Sequence, residues 1–266
     1  MPTEPSGNQR NNQARILYMD ILYRRNTVRE ALRGRRRPLF RLWLETRLDK
    51  RVAQELTAAA AAIKLPVQTA DKDKLGKLAQ DRGHQGVVLE AGPYQYADVE
   101  EMLGRARQFG DKPFLLLLDQ VQGPQNMGIL LRTAEACGVH GIIMQDRNAP
   151  DITPTIVMAS AGATEHLPIA KVTNLVVTMK QLKEKGVWLA GLDVAPEAHL
   201  PGEMDLNRPL ALVIGHEGEG LRRLVGETCD FLLQLPMRGR VESLNASAAG
   251  SVMMYLAWQA RGFAGS

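Results

Sequence analysis

Three stretches of the sequence place amide, hydroxyl, carboxylate and guanidinium side chains directly after apolar runs. They are DQVQGPQNMGILLRTAEACGV (119–139), LVIGHEGEGL (212–221) and LPMRGRVESLNASAAG (235–250). Side chains of these types can align a hydroxyl nucleophile, hold an anion and assist a proton transfer. Because ligands of open α/β sheets collect at the carboxyl ends of the strands, the three stretches are candidates for one shared site.

The first stretch predicts a helix that follows a turn at Gly123. Asn126 is placed to cap this helix, and Arg132 lies one turn beyond Gly128, which leaves room beside its guanidinium. Two simpler interpretations stay open. An arginine in an amphipathic helix is usually a solvated residue, and Asn126 could be a cap with no further role.

The second stretch carries three glycines after an apolar run, which indicates a sharp turn that lets another group come near. The spacing of Gly215, Gly218 and Gly220 is not GxGxxG, and no Gly-Lys-Ser/Thr follows. A dinucleotide-binding fingerprint and a phosphate-binding P-loop are therefore both excluded. Glu217 is either a turn residue or a polar contact for a ligand or RNA.

The third stretch predicts the start of the last helix. Asn245 can cap it, and Ser243 and Ser247 bring hydroxyl groups near its first turn. Small side chains then keep the helix surface low, so that a flat ligand or another backbone can approach. Packing of one helix against another explains the same residues equally well. The small residues are Ala246, Ala248, Ala249 and Gly250.

Apolar runs alternate with helical patterns from Phe114 onward, which predicts an α/β domain with a mostly parallel sheet. FLLLLD (114–119) is typical of a strand that is buried on both faces. Upstream, a smaller βαβαβ-like unit is predicted, with Asn26 as the cap of its first helix and Gly34 as the end of that helix. Its other predicted elements are strands at 41–45, 66–70 and 86–91 and helices at 49–63 and 71–79.

The net charge of +4 conceals a basic front region. Residues 1–50 hold about 12 Lys and Arg against about 5 Asp and Glu, so the remainder of the chain is slightly acidic. Arginine matches phosphate geometry, which favours a nucleic-acid partner, although a solvated charged face would have the same composition. The candidate RNA-binding residues in this region are Arg24, Arg25, Asn26 and Arg29.

Composition also bounds the class of protein. Two distant cysteines and scattered histidines favour a reducing compartment and predict no disulfide and no metal site. No apolar run reaches the roughly 18 residues of a membrane span, and the N-terminus carries no signal-peptide pattern, so we expect a cytoplasmic protein. Residues 1–14 are polar and are predicted to be a disordered tail.

Taken together and in this order, the motifs PQNMGILLRTAEACGV, LVIGHEGEG and LPMRGRVESLNASAA strongly resemble those of the SpoU family of RNA 2′-O-ribose methyltransferases. MASAGATEHLPI (158–169) is also similar to that family. YRRNTVREAL and HQGVVLEA resemble its substrate-binding domain, which is similar to ribosomal protein L30e. One departure is Arg24, where many relatives have glycine after the tyrosine.

The resemblance implies a fold and a division of the chain. Residues 15–92 are expected to form the L30e-like RNA-binding domain, 93–112 a linker, and 113–266 a methyltransferase domain. In this family the C-terminal segment, here roughly 210–260, threads through a loop to form a trefoil knot. Knots are otherwise essentially absent from proteins, so the residue pattern alone would predict an ordinary open sheet.

The resemblance also implies a cofactor and roles for individual residues. S-adenosylmethionine is expected in the knot, without a metal. Arg132 is expected to act on the ribose hydroxyl and to contact RNA. The other expected catalytic residues are Asn126, Glu217, Ser243 and Asn245. The expected cofactor contacts are Gly215, Leu235 and Leu244, with Ile214, Ser243 and Ala248 as further candidates.

The expected activity is therefore 2′-O-methylation of a ribose. The family suggests that this ribose belongs to a guanosine in large-subunit rRNA. The expected assembly is a homodimer formed by the knotted domains. Two alternatives stay open: methylation of tRNA, and a non-catalytic RNA-binding factor for ribosome assembly. The intact motif residues argue against the second, and the N-terminal domain argues against the first. A housekeeping role and an antibiotic-resistance role look the same in the sequence.

Overall fold

The computed structural model describes residues 19–240 and 243–265, so the predicted tail at 1–14 lies outside the described residues. The strands of the described chain are β1 (Asp20–Tyr23), β2 (Leu39–Glu45), β3 (Val67–Ala70), β4 (Val87–Ala91), β5 (Phe114–Leu118), β6 (Gly141–Gln145), β7 (Ile169–Val172), β8 (Trp188–Leu192), β9 (Leu210–Ile214) and β10 (Phe231–Leu233). The α-helices are α1 (Arg25–Gly34), α2 (Lys50–Ala62), α3 (Lys72–Ala79), α4 (Val99–Phe109), α5 (Pro124–Ala136), α6 (Pro154–Ala159), α7 (Leu175–Glu184), α8 (Arg223–Thr228) and α9 (Ala246–Ala260). Short 3₁₀ turns occur at Ala163–Glu165 and Pro201–Glu203.

The chain forms two compact units, and each is built from two separate segments of the sequence. The first unit contains the chain up to Gln95 together with Ile152–Glu165, and the second contains Tyr96–Asp151 and the chain from His166 onward. Helix α4, which the sequence places in a linker, buries Met102 and Leu103 in the core of the second unit. Among the described helices, none combines the length and apolar character that crossing a bilayer requires.

The first unit is built on a four-stranded sheet with the order β1-β4-β2-β3. Strands β2 and β3 are parallel, as a βαβ unit requires, whereas β4 runs antiparallel to both β1 and β2. The core of the sheet includes Leu22, Leu42 and Leu89, which are all fully buried. The sequence pattern does not predict strand β1, because only four residues form it. The predicted cap at Asn26 is wrong, since Arg24 occupies that position.

A buried ion pair joins distant parts of the chain within the first unit. The Arg37 side chain is completely buried, and its guanidinium lies 2.7 Å from the Asp20 carboxylate and 3.0 Å from that of Glu165. Burial raises the pKa of Asp20, and the nearby Arg37 charge opposes that rise. Removing one partner of such a pair would leave the other charge buried without a counter-charge. The ion pair between Arg37 and Glu165 therefore holds residues 152–165 on the rest of the first unit.

The second unit is built on a six-stranded parallel sheet with the order β10-β8-β9-β5-β6-β7, which confirms the predicted fold class. All five residues of β5 are buried, as the apolar run predicted. Leu118 pairs with Ile214, Ile214 with Leu192, and Leu192 with Leu233. This register brings the carboxyl ends of β5, β8, β9 and β10 to one edge of the sheet.

Helices α5 and α9 pack against each other close to this edge. Gly250 lies in the interior of α9, and a Cβ atom at that position would lie 2.4 Å from Ile214 Cδ1 and 2.7 Å from Leu130 Cδ2. The glycine therefore allows the close packing that the sequence left as one of two interpretations. The predicted cap of α9 is confirmed, because Asn245 Oδ1 accepts hydrogen bonds from the backbone N–H groups of Ser247 and Ala248.

We expect Gly250→Ala to lower the free energy of unfolding by about 1–3 kcal/mol, because the added methyl group overpacks a closed contact. Urea denaturation of the purified protein measures this change.

Gly104 provides the matched control, since it also lies inside a helix of the second unit, but a Cβ atom added there would have only the end of the Arg107 side chain within 4 Å. Gly104→Ala should raise the free energy of unfolding by about 0.5–1 kcal/mol through helix propensity alone. If the two substitutions had the same effect, packing at Gly250 would not be the constraint.

Candidate functional site

The loops that follow β8, β9 and β10 enclose a cleft of about 510 Å³ with the start of α9. Five of the residues expected at the cofactor line it: Ile214, Gly215, Leu235, Ser243 and Leu244. Ala248 is exposed and points away from this lining, whereas Ala246 and Ala249 line the cleft. The three-residue spacing of those two alanines places them on one face of the helix, and this face defines the approach to the cleft.

The second glycine-rich stretch forms a small hairpin beside the cleft. The backbone N–H of His216 donates to the Gly220 carbonyl at 3.0 Å, and Gly220 returns a bond to His216 at 3.1 Å. A Cβ atom at Gly215 would lie 2.3 Å from the carbonyl group of Gly220. The hairpin can therefore fold back onto the end of β9 only because residue 215 has no side chain.

A chain of side-chain hydrogen bonds connects the three motifs at the cleft. The Asn126 amide Nδ2 donates to Glu217 Oε1 at 2.6 Å, and its Oδ1 accepts from the Ser247 hydroxyl at 3.0 Å. The same hydroxyl lies 2.6 Å from Asn245 Oδ1. The predicted cap role of Asn126 is wrong, because α5 begins with Gly123 as its cap and Asn126 makes these long-range contacts instead.

The sequence predicts for Ser247 only a hydroxyl near the start of α9, whereas the structure places this hydroxyl between Asn126 and Asn245. The Ser247 side chain is buried, and its single hydroxyl proton can serve only one of the two amide oxygens at a time. Asn245 Oδ1 already accepts hydrogen bonds from two backbone N–H groups. We therefore assign the Ser247 hydroxyl proton to Asn126 Oδ1. The hydroxyl thereby fixes the orientation of the Asn126 amide and, through it, the position of Glu217.

Arg132 lies on α5 six residues after Asn126, about 9 Å further along the helix axis. Its side chain is exposed, and among the described residues its guanidinium has no hydrogen-bond or ion-pair partner. An arginine without a protein partner keeps all five donors available for an anion. This arrangement fits an interaction with phosphate from solution better than a structural role.

A buried carboxylate anchors the loop that carries Glu217. Asp119 is fully buried directly after β5, and its carboxylate accepts from the Arg222 backbone N–H at 3.0 Å and from Arg222 Nε at 2.7 Å. Arg222 also donates to Gln145 Oε1 at 2.8 Å. This pair is not predicted from the sequence, although a single carboxylate at the end of a wholly apolar strand indicates a buried charge that needs a partner.

The expected RNA-binding residues of the first unit differ in their surroundings. Arg24 is exposed and has a φ of 74°, in the region that favours glycine, which explains physically why a glycine was expected there. Arg25 Nε donates to the Gln85 carbonyl, and Asn26 is exposed. Arg29 forms two hydrogen bonds to Glu55, so its charge is already neutralised. Arg24 and Arg25 are therefore better placed for RNA than Arg29.

The described part of the chain contains no group of three or more His, Cys, Asp or Glu side chains arranged to hold a metal ion. Burial raises the pKa of the Cys137 thiol to about 11 and that of Cys229 to about 12, so neither is a thiolate at neutral pH.

The second unit thus has a parallel α/β sheet with a glycine-rich cleft at its strand ends, where ligands of such sheets bind. The helix that follows β5 carries an exposed arginine that has no partner among the described residues. The model of the SpoU rRNA Methylase family matches residues 113–255, and the model of the RNA 2′-O ribose methyltransferase substrate-binding domain matches residues 21–97. The chain belongs to the SpoU family and is an RNA methyltransferase, as the motifs predicted.

Known proteins resemble the chain over nearly its whole length. A protein of Bacillus subtilis strain 168 that is named as the TrmH family tRNA/rRNA methyltransferase YacO is 41% identical over 242 residues, which cover 91% of this chain and 96% of that protein. A relative in Staphylococcus haemolyticus, also named as a TrmH family tRNA/rRNA methyltransferase, is 39% identical over 241 residues, with 91% and 96% coverage.

Solved structures show the same fold. The SpoU methyltransferase AviRb from Streptomyces viridochromogenes, in complex with the cofactor AdoMet, has a TM-score of 0.76 at 23% identity and covers 97% of this chain and 95% of its own. The TrmH/SpoU tRNA modifying enzyme from A. aeolicus has a TM-score of 0.53 at 26% identity, and it covers 62% of this chain and 85% of its own.

We expect Ser247→Ala to reduce methyl transfer strongly while costing about 1–3 kcal/mol of stability, because it leaves the Asn126 carbonyl oxygen without its donor. Methyl transfer to RNA and urea denaturation of the same preparation measure the two effects separately.

Ser251→Ala is the matched control, since the Ser251 hydroxyl lies one turn later on α9 and is 2.9 Å from that of Thr133. It should lose a comparable amount of stability and retain its methyl transfer. Equal losses of activity in both variants would show that general destabilisation, and not the Asn126 network, is responsible.

Proposed function

We propose that the protein methylates the 2′-hydroxyl of a ribose, in a guanosine of large-subunit rRNA, with S-adenosylmethionine as the methyl donor. The observation that carries this proposal is the hydrogen-bonded chain from Glu217 through Asn126 and Ser247 to Asn245. It joins three separate motifs beside one cleft, and helix α5, which carries Asn126, also carries Arg132. The catalytic set is Asn126, Arg132, Glu217, Ser243 and Asn245.

The cleft suits S-adenosylmethionine, the cofactor of this family. Its lining combines apolar side chains, of which Leu235 and Leu244 can flank a flat base, with a glycine-rich backbone that a ligand can approach. The Nδ1 atom of His216, which also lines the cleft, is buried and has no partner among the described residues. A cofactor with polar edges would satisfy it. Gly215, Ile214 and Ser243 complete the proposed contacts, and Ala248 is the weakest member of the set.

The cofactor, when bound, supplies a methyl group on a sulfonium that is a good leaving group. The residues of the chain must then align a 2′-oxygen in line with that methyl and help its proton to leave. Arg132 is a poor base, because a guanidinium in a protein stays protonated. Its proposed role is to bind the neighbouring RNA phosphate and draw the hydroxyl proton toward that phosphate.

The remaining residues position Arg132 and the ribose. Asn126 and Arg132 lie on the same helix, so the network that fixes Asn126 also fixes the start of α5. Ser243 lines the cleft and is exposed, which makes its hydroxyl accessible to a ribose. Glu217, held by Asn126, contributes a negative charge near the ribose rather than near the phosphate.

Several observations support rRNA as the substrate. The matching family model is that of rRNA methylases, and residues 21–97 match the substrate-binding model of RNA 2′-O ribose methyltransferases. The tRNA modifying enzyme from A. aeolicus covers only 62% of this chain. The relatives named as tRNA/rRNA methyltransferases keep tRNA as the alternative that the experiment below distinguishes. An rRNA substrate places the enzyme in the cytoplasm.

We also propose that the second unit contains the trefoil knot and forms a homodimer. Exposed apolar side chains on α5 and α9 support an interface, since Ile129, Val252 and Tyr255 are each 44% to 48% exposed. Two of them lie on one face of α9, three residues apart. Sedimentation of the full chain measures the assembly, and a monomer at micromolar concentration would contradict the proposal.

We expect Arg132→Ala to reduce methyl transfer by ~10²-fold or more and to leave the affinity for S-adenosylmethionine nearly unchanged, because the arginine acts on RNA and not on the cofactor. Transfer of labelled methyl and calorimetric titration of the cofactor measure the two quantities.

Arg107→Ala is a suitable control, because Arg107 is also an exposed helical arginine of the second unit. It should behave as the unmodified protein in both assays. Loss of cofactor affinity in Arg132→Ala would contradict the assigned role.

The substrate class is tested by methyl transfer to unmodified large-subunit rRNA and, separately, to tRNA, with Arg132→Ala as the blank. We expect label in rRNA that maps to one ribose. Label in tRNA alone would keep the enzyme class and replace the substrate. RNA binding without label in either RNA would favour an assembly factor.

A further inference from the structure

The first unit contains a second concave site, which the functional motifs do not include. This pocket of about 260 Å³ is formed by the start of α1, the loop between β2 and α2, the start of α3, and the loop between α3 and β4. Its charged lining residues are Arg25, Arg47, Lys72 and Arg82 on the basic side and Glu45 and Asp49 on the acidic side. We call it the basic pocket.

Three of the four basic side chains in this pocket have no partner of their own. Arg47, Lys72 and Arg82 are exposed, and none of them forms a hydrogen bond or ion pair with the described residues. Asp49 is already engaged, since its carboxylate accepts from the backbone N–H groups of Arg51 and Val52 at the start of α2. The pocket therefore presents a surplus of donors and of positive charge to solvent.

Hydrogen bonds hold the loops of the pocket in place before any ligand arrives. Gln85 Oε1 accepts from the Arg25 backbone N–H at 3.1 Å, and the Gln85 carbonyl accepts from Arg25 Nε at 3.2 Å. Asp81 binds the Gly83 N–H at 2.6 Å and the Tyr23 hydroxyl at 2.7 Å, which lowers the pKa of its carboxyl. A pre-formed site avoids the entropy cost of ordering these loops on binding.

A buried histidine provides a second, independent indication of a ligand. His84 lines the pocket and is only 1% exposed. Its Nδ1 accepts a hydrogen bond from the Gly86 backbone N–H at 3.0 Å, so the ring proton must be on Nε2. The Nε2 atom is buried and has no partner among the described residues. An unsatisfied buried donor costs free energy, and an acceptor from a ligand would recover it.

We propose that the basic pocket binds a backbone phosphate of the substrate RNA, and that Arg47, Lys72, Arg82 and His84 are its donors. This proposal rests on the proposed function, since it names part of the RNA surface of that enzyme. With four cations and two carboxylates, the lining carries a surplus of two positive charges, which suits an anionic phosphodiester. Phosphate contacts of this kind position an RNA without reading its sequence.

The test compares the salt dependence of RNA binding by two variants of the full chain. The first is Arg47→Gln/Lys72→Gln/Arg82→Gln. The second, as a control, is Arg51→Gln/Lys64→Gln/Lys77→Gln, which removes the same charge from other positions of the first unit. Fluorescence anisotropy with an unmodified large-subunit rRNA fragment, at salt concentrations from about 50 to 200 mM, gives the slope of log Kd against log salt.

We expect the magnitude of the slope of the pocket variant to fall by about 1 relative to the unmodified protein, because the loss of one phosphate contact releases about one counterion fewer. The control variant should keep the slope of the unmodified protein to within about 0.3. Equal slopes in the two variants would overturn the proposal. All six positions are outside the buried core, and matching urea denaturation curves check that both variants remain folded.

Two further results separate the possible failures. Absence of methyl transfer to any RNA by the unmodified protein would refute the proposed function, whereas normal transfer with equal slopes would refute the pocket alone. A titration with inorganic phosphate distinguishes the free ion from the RNA backbone. Stabilisation by millimolar phosphate, lost in the pocket variant but without a change in RNA slope, would assign the pocket to the free ion and overturn the assignment to RNA.

Discussion

The side-chain amide of Asn126 is the contact on which the arrangement of the catalytic cleft depends. An amide has a donor end and an acceptor end, and here each is used once, by Glu217 and by Ser247. The two partners lie 91 and 121 residues away in the sequence. Rotating the amide by half a turn would bring its oxygen against the Glu217 carboxylate oxygen and lose that hydrogen bond, so the network has one stable orientation.

The parallel register makes this meeting of distant residues possible. In a parallel sheet, every strand ends at the same edge, and the loops after β5, β8, β9 and β10 therefore converge without special connections. Glycine then sets how closely they approach. Gly215 lets the hairpin fold back onto β9, and Gly250 lets α9 rest on α5 and β9. The buried Asp119 holds the far side of the hairpin through Arg222.

Much of the fold follows from patterns that are local in the sequence. The apolar run of β5 and the cap at Asn245 are confirmed because each depends on neighbouring residues. The local pattern predicts Asn126 as a cap, whereas the structure gives it partners more than 90 residues away. No propensity or periodicity contains that information. The motif resemblance predicted a functional role for the residue, although it did not supply a physical reason.

The charge pattern of the sequence likewise does not show which arginines have partners in the folded protein. An excess of arginine at the front of the chain predicted a surface for nucleic acid, but composition does not distinguish a free guanidinium from a paired one. Arg37 is completely buried between two carboxylates, one of them Glu165, and Arg29 is neutralised by Glu55. Both arginines form ion pairs within the first unit.

Free cations of that unit lie elsewhere, among them Arg47, Lys72 and Arg82, which are spaced too widely in the sequence to form a visible cluster. A sulfonium methyl group is intrinsically reactive, so the proposed catalytic set needs only amide and hydroxyl side chains, one carboxylate and one arginine to align its attack. Choosing one ribose in a large RNA is the harder task, and it requires many weak contacts to phosphates. The basic pocket fits that second requirement, because hydrogen bonds hold its loops in place and three of its cations have no partner among the described residues.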